Sequence, residues 1–288
     1  MSFFEDPTVT DLLQRNIERV DKMEEAQQRK LIKAFRIVRN KLNDRLLVVP
    51  EGTFTEQQLN VTLIQVTAAI EAIKRDLKGE LNDASEILGI QGIKDLAREI
   101  TKFEQKFTGS VQPLNLDAIL LASEANNFLI NKYDASIDAY GADLRSQIST
   151  QLFQALISRD TNQRTVSEMK TGIGKFFLGE EWKLNRIVRT EMHNIYNYTK
   201  MKGLGQVQET LIPDMKKSLM HPMDSRTGDD SKLLSARNPV VDINEPFVFK
   251  FKGKERVFQF PPDRPNDRAI LIPFREVWDK GPAGFKTV

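Results

Sequence analysis

Leu59, Leu63, Val66, Ile70, Ile73, Leu77 and Leu81 recur at steps of three and four residues. No other feature of the chain constrains its fold as tightly, because this spacing draws a single apolar stripe along a helix and is useless to a strand. Leu31, Phe35, Val38 and Leu42 repeat the pattern upstream, and Ile93, Leu96, Ile100 and Phe103 repeat it downstream. Each stripe has to be covered, so the N-terminal half is expected to be long helices packed on one another. No strict heptad is sustained, and an intramolecular core is favoured over a coiled-coil seam. An arm that reaches another subunit would have the same pattern.

Local signals suggest where these helices begin and end. Thr53 with Glu56 and Asp83 with Glu86 have capping-box spacing or a close variant of it, predicting starts near residues 54 and 84. The VVPEGTF stretch predicts a break before the first of these, and TGSVQP predicts a stop after Phe103. Two more helices are expected, over 117–133 and 136–157. Residues 160–180, rich in Thr, Gly and Lys, are expected to hold a short helix from Thr165 and a glycine-containing turn. The GIGKFF segment within them lacks the Gly-Lys-Ser/Thr ending and the preceding strand of a phosphate loop. The expected organisation is therefore a helical region at 1–158, a connector at 159–179 and a small C-terminal domain at 180–288, an α+β class overall.

The C-terminal domain reads differently. Phe247, Phe249 and Phe251 alternate, Lys252-Gly253 can turn the chain, and Val257, Phe258 and Phe260 can return, which predicts a β-hairpin. PPDRPNDRAILIPF then joins a stiff polar approach to an apolar run, predicting a further strand at its end.

Composition narrows the chemistry. The 288 residues contain no cysteine and two histidines, His193 and His221. Disulfides, thiolate metal sites and cysteine nucleophiles are excluded, and any histidine-based mechanism has to use one of those two. The chain lacks signal-peptide character and a bilayer-length apolar run, so a cytoplasm-like compartment and no membrane contact are expected. The formal charge of +2 is unevenly spread, with −4 over 1–163 and +4 over each of 164–202 and 216–288. Within the basic excess, Lys216 and Lys217, and then Lys250, Lys252, Lys254 and Arg256 on the hairpin, form two short clusters. These are the candidates for non-specific DNA contact.

On the helix WKLNRIVRTEMHNIYNYTKMKG, Arg189, His193 and Asn197 lie at four-residue steps on one face. Glu191 and His193 are two apart, point about 200° away from each other, and so do not form a ligand or acid–base pair. A structural polar network is expected, with Arg189 and Glu191 tying the helix to loops of the same domain. In DSRTGDD, the carboxylates of Asp224, Asp229 and Asp230 beside His221 could bind Mg²⁺, but the same composition makes an ordinary hydrogen-bonded turn. No complete catalytic set is evident, and neither a cofactor nor a metal is assigned.

Taken in order, RIVRTEMHNIYN, DSRTGDDSKLLSARNPVVDINEPF and PPDRPNDRAILIPF resemble the successive signatures of the phage Mu F-like head morphogenesis family, the minor head proteins of tailed phages. The resemblance covers roughly residues 180–275. It rests on Arg189, Thr190, Glu191 and Asn197 of the helix, on Asp224, Arg226 and Thr227 of the second segment, and on Pro261, Pro262, Pro265, Asn266 and Arg268 of the third. It implies a structural, non-enzymatic role in the virion, at the head or portal vertex. The partners it implies are the portal and the major capsid or scaffolding protein, with self-association a further expectation of the N-terminal helices. Asp267 and Ala269 stand where the family pattern has cysteines, and Ser231 stands near a frequent histidine, so a metal site built from those groups is not expected here. Arg264 or Arg268 is expected to join Asp224 or Glu191 in a clasp that closes a separately folded module. A metal-dependent nuclease and a DNA-contacting internal head protein are the alternative readings.

Overall fold

The computed structural model describes residues 2–47, 56–110, 114–157, 165–222 and 224–279. Four long helices account for most of them: α1 (Pro7–Leu47), α2 (Glu56–Phe107), α3 (Ala118–Ile157) and α4 (Thr165–Thr210). A small set of elements follows: strand β1 (Lys216–Met220), helix α5 (Asp229–Ala236), strands β2 (Val241–Asp242), β3 (Phe247–Phe251), β4 (Lys254–Phe258) and β5 (Ile270–Phe274), and a final turn of helix, α6 (Glu276–Asp279). The class is α+β, as expected. No helix among the described residues is long and apolar enough to cross a membrane.

The helices are fewer and longer than the local signals suggested. No new start occurs at residue 84, because α2 runs unbroken through Asp83 and Glu86, and Leu81, Ala84 and Leu88 keep its buried stripe continuous. A capping box marks a start only where the preceding residues are not already held helical by packing. The expected gap between residues 133 and 136 is likewise absent, since Tyr133 and Ile137 are both buried and Ser136 donates its hydroxyl to the Lys132 carbonyl inside α3. From Thr165 onward the expected connector is helix, and no turn interrupts it at Gly172, Gly174 or Gly179. Each glycine costs a helix about 1 kcal/mol without forbidding it. The break expected at VVPEGTF lies outside the described residues, whereas α2 does stop at Phe107, before Gly109 with its φ of 73°.

Two compact units emerge, and neither matches the expected sequence division. One comprises residues 26–82 and 130–188. Its buried side chains include Leu31, Phe35, Val66, Ile70, Ile73 and Leu77 with Tyr133, Ile137, Tyr140, Leu144 and Leu184. Ion pairs at its surface join Arg36 to Glu181 at 2.8 Å, Lys74 to Asp138 at 2.9 Å and Lys183 to Asp143 at 2.9 Å.

The other unit draws residues 1–25, 83–129 and 189–288 into one core, so the C-terminal elements share their buried side chains with two N-terminal segments. Phe3 is fully buried, with ring centroids 5.1 Å from Phe103, 5.5 Å from Phe274 and 5.6 Å from Trp278. The Asp279 carboxylate accepts from the Phe3 backbone N–H at 2.7 Å and the Ser2 hydroxyl at 2.9 Å. Between the helices of this unit runs a buried polar ladder. Tyr196 donates to Asp95 at 2.9 Å, and Lys200, wholly buried, donates to Glu99 at 2.7 Å.

The expected hairpin is β3–β4, with Phe247 opposite Phe258 and Lys252-Gly253 at φ 47° and 76° in the two-residue turn. Two positive φ values are what a primed hairpin turn requires. AILIPF is a strand, but it pairs with β1 rather than with the hairpin, in a sheet of order β2-β1-β5. Its position at a sheet edge accommodates Pro273, which has no N–H for a ladder.

Candidate functional site

The three signature segments, far apart in sequence, meet at one polar cluster. The segment 221–228 begins with turn chemistry: Asp224 accepts from the Arg226 backbone N–H at 2.9 Å and the Thr227 hydroxyl at 3.1 Å, and Thr227 also donates to the Pro222 carbonyl. These bonds aim the Asp224 carboxylate at Arg268, whose guanidinium donates to both of its oxygens at 2.6 and 2.7 Å. This bidentate pair holds the Asp224 carboxyl well below the usual carboxylate range.

The third segment wraps α4. Pro261-Pro262 is cis, Asn266 has φ 66°, and the Asn266 N–H donates to the Thr190 hydroxyl at 3.3 Å. Asparagine tolerates that left-handed backbone better than most residues. Asn197 then serves the free edge of β5 as a neighbouring strand would. Its side chain donates to the Ala269 carbonyl at 2.9 Å and accepts the Leu271 N–H at 2.6 Å. Arg264 pairs with Asp230, as does Arg256 at 3.1 Å, and the Arg264 hydrogen bond holds Asp230 down to about 2. Two of the three carboxylates considered for Mg²⁺ are thus committed to arginines.

Asp267 is buried, and burial alone would raise its carboxyl. The His221 imidazole 3.1 Å away and the backbone N–H groups of Asp263 and Ala269 override that effect and bring it to about 2. His221 is fixed from its other side by Ser235, 2.8 Å from Nδ1. The His221–Asp267 contact thus occupies one of the two positions, 267 and 269, at which the resemblance would lead one to expect a cysteine, and Ser231 accepts from Arg264 at 2.8 Å.

Arg189 does not reach a loop of the C-terminal segment, as expected from the sequence, but donates to Glu24 of α1 at 2.6 Å. Glu191 accepts from Asn194 on its own helix at 3.0 Å. The partner missed in the sequence is α1. Its Asp21 accepts from Arg268 at 2.9 Å and from Arg226 at 3.3 Å. His193 faces the same two acids, with Nε2 3.4 Å from Glu24 Oε2 and 4.0 Å from Asp21 Oδ1. Asp21, Glu24 and His193 are the cluster able to hold a metal ion among the described residues, their ligand atoms all lying within 4.8 Å of one another.

Four of the six DNA-contact candidates are engaged by other groups. Lys217 is buried and donates to the Gln259 backbone and side-chain oxygens at 2.8 and 3.0 Å, which removes it from any phosphate. Lys216 pairs with Glu276, Lys250 with Glu255, and Arg256 with Asp230 and Asp263, leaving Lys252 and Lys254 exposed at the hairpin turn.

No family model, curated protein or solved structure matches the chain.

Proposed function

We propose that this chain is a minor capsid, or head morphogenesis, protein of a tailed phage, resembling the phage Mu F-like family. In this role it associates with the portal or inner head during procapsid assembly and influences DNA packaging or ejection. The observation that carries the reading is the meeting of all three signature segments in one clasp: Arg268 on Asp224, Asn266 on Thr190, and Asn197 along β5. Residues that look like an ordered family signature thus also act together physically. Their side chains are spent on one another and on backbone groups, which suits a scaffold better than a reaction centre. Exposed apolar side chains at Ile119, Leu120 and Phe128 are material for protein contact.

The test is to purify proheads and virions of the encoding phage, with and without the gene, and to map the difference by electron microscopy and mass spectrometry. The full-length chain is expected at the portal vertex or inner head, and its loss is expected to reduce DNA-filled heads. Its absence from both particles would overturn the proposal. So would Mg²⁺- or Mn²⁺-dependent DNA cleavage by the purified chain that is lost in a folded Asp224→Ala variant.

A further inference from the structure

We propose that Asp21, Glu24 and His193 bind a divalent first-row transition-metal cation of the Zn²⁺ or Mn²⁺ kind, which ties α1 to α4. The site is independent of the proposed role in the phage head. Asp21 and Glu24 are three apart on α1 and so share a face, and His193 approaches that face from α4.

His193 is the reason to infer a ligand. Its side chain is 0 % exposed, and neither ring nitrogen has a hydrogen-bond partner. A buried imidazole in that state leaves both ring nitrogens unsatisfied whatever its tautomer, a cost that native interiors rarely carry. Nε2 makes only a loose approach to the two carboxylates, 3.4 Å from Glu24 Oε2 and 4.0 Å from Asp21 Oδ1, and Asp21 Oδ1 lacks a hydrogen-bond partner. A cation between them would satisfy the ring nitrogen and Asp21 Oδ1 together.

The carboxylates are already oriented for this. Arg268 holds Asp21 by Oδ2 and Arg189 holds Glu24 by Oε1, so each acid turns its other oxygen towards His193. Fixing ligands from behind is the usual task of groups outside a coordination shell. Bonds of about 2.0–2.1 Å place tetrahedral ligands roughly 3.3 Å apart. The 3.4 Å between His193 and Glu24 meets that spacing, and the 4.0 Å to Asp21 needs a small closure. Asp21, with its side chain 16 % exposed, stands at the rim, where a water could complete the shell.

One imidazole nitrogen with two carboxylate oxygens suits Zn²⁺, Mn²⁺ and their neighbours, whereas Mg²⁺ and Ca²⁺ favour all-oxygen shells. The guanidiniums of Arg189, Arg226 and Arg268 oppose a further cation nearby, so the ion is expected to be removable by a chelator.

The experiment uses the full-length chain carrying a tag without histidine, stripped with EDTA and then titrated with ZnCl₂ or MnCl₂. Saturable binding of one Zn²⁺ per chain and a saturating rise in Tm are expected, with neither produced by MgCl₂ or CaCl₂. With ¹⁵N-labelled histidine, the two imidazoles give separate signals, and Zn²⁺ is expected to shift that of His193 while leaving His221 in place. His193→Gln should lose the bound equivalent while keeping its helical circular dichroism. Absence of saturable Zn²⁺ and Mn²⁺ binding, full stoichiometry in His193→Gln, or Zn²⁺ binding that leaves the His193 signal unmoved would each overturn the site. Should His193→Gln not fold, the labelled wild-type spectra decide.

Discussion

Arg268 brings a full charge to a position where only 5 % of its side chain meets solvent, and it can stay charged there because Asp21 and Asp224 flank it. Removing a buried member of such a group costs more than the contact itself, since the remaining charges keep their desolvation penalty. Arg268→Ala is expected to destabilise the protein by roughly 2–4 kcal/mol in chemical denaturation. An unchanged midpoint would mean that the clasp is ornamental. Lys217 makes the opposite kind of demand. Burial pulls its amine down to about 8, against the coulombic pull of Glu245. The folded pKa lies below that of the unfolded chain, so between the two the unfolded state holds a proton that the folded state has released, and stability rises with pH. Relative to Lys217→Met, the wild type should gain about 1–2 kcal/mol between pH 7.5 and 9.5. A pH-independent gap in denaturation midpoints would contradict this account. At this scale, the sequence pointed to a clasp of Arg264 or Arg268 with Asp224 or Glu191, because these residues stand in recognisable words, but it did not single out the Arg268–Asp224 pair that forms. Asp21 and Glu24 were not legible. An acidic pair three apart on a helix is also what any solvated face looks like, and nothing in a single sequence links residue 21 to residue 268.

Among the elements, α2 shows why a residue that weakens a helix can be required by it. Gly92 lies where α4 crosses so closely that a Cβ built there would stand 2.9 Å from the Tyr196 carbonyl oxygen and 3.5 Å from Lys200 Cγ. Alanine improves a helix interior by about 1 kcal/mol in isolation. Here the obstacle is backbone, which cannot turn aside as a side-chain tip can. Gly92→Ala is therefore expected to lower stability by roughly 1–3 kcal/mol, the cost of overpacking. An increase in Tm would show that α2 and α4 can separate without loss. Helix existence was legible from the apolar stripes, and the hairpin from alternating phenylalanines around Lys252-Gly253. Helix ends were less so, because Asp83–Glu86 and Ser136 carry local stop-and-start chemistry that continuous burial overrides. Strand β1 was invisible for a related reason. KKSLM opens with two lysines and shows no alternation, its three central residues all being buried, so only the pairing with β5 reveals it.

At the scale of the whole molecule, the core containing the clasp is assembled from three segments distant in sequence. Phe3 and Leu13 come from the first, Leu96, Ile100 and Phe103 from the second, and Tyr196, Leu271, Phe274 and Trp278 from the third. None of the three can close this core alone. The polar ladder is shared in the same way: Lys200 in the third segment depends on Glu99 in the second, whose side chain also accepts from Asn16 in the first at 2.7 Å. A fragment beginning at Thr161 retains every signature residue, yet it exposes one side of the aromatic cluster and leaves Lys200 without its carboxylate. Such a buried charge without a partner is among the costlier defects an interior can hold. The fragment is therefore expected to lack a cooperative thermal transition and to bind a hydrophobic dye, although its helical content persists in part. Co-expression with residues 1–157 should restore a single cooperative melt, because it returns the missing side of the core without a covalent link. A fragment that melted cooperatively by itself, near the temperature of the full chain, would show that the signature region closes its own fold. The contacts of Phe3 and Phe103 with Trp278 would then add to a stable module instead of completing it.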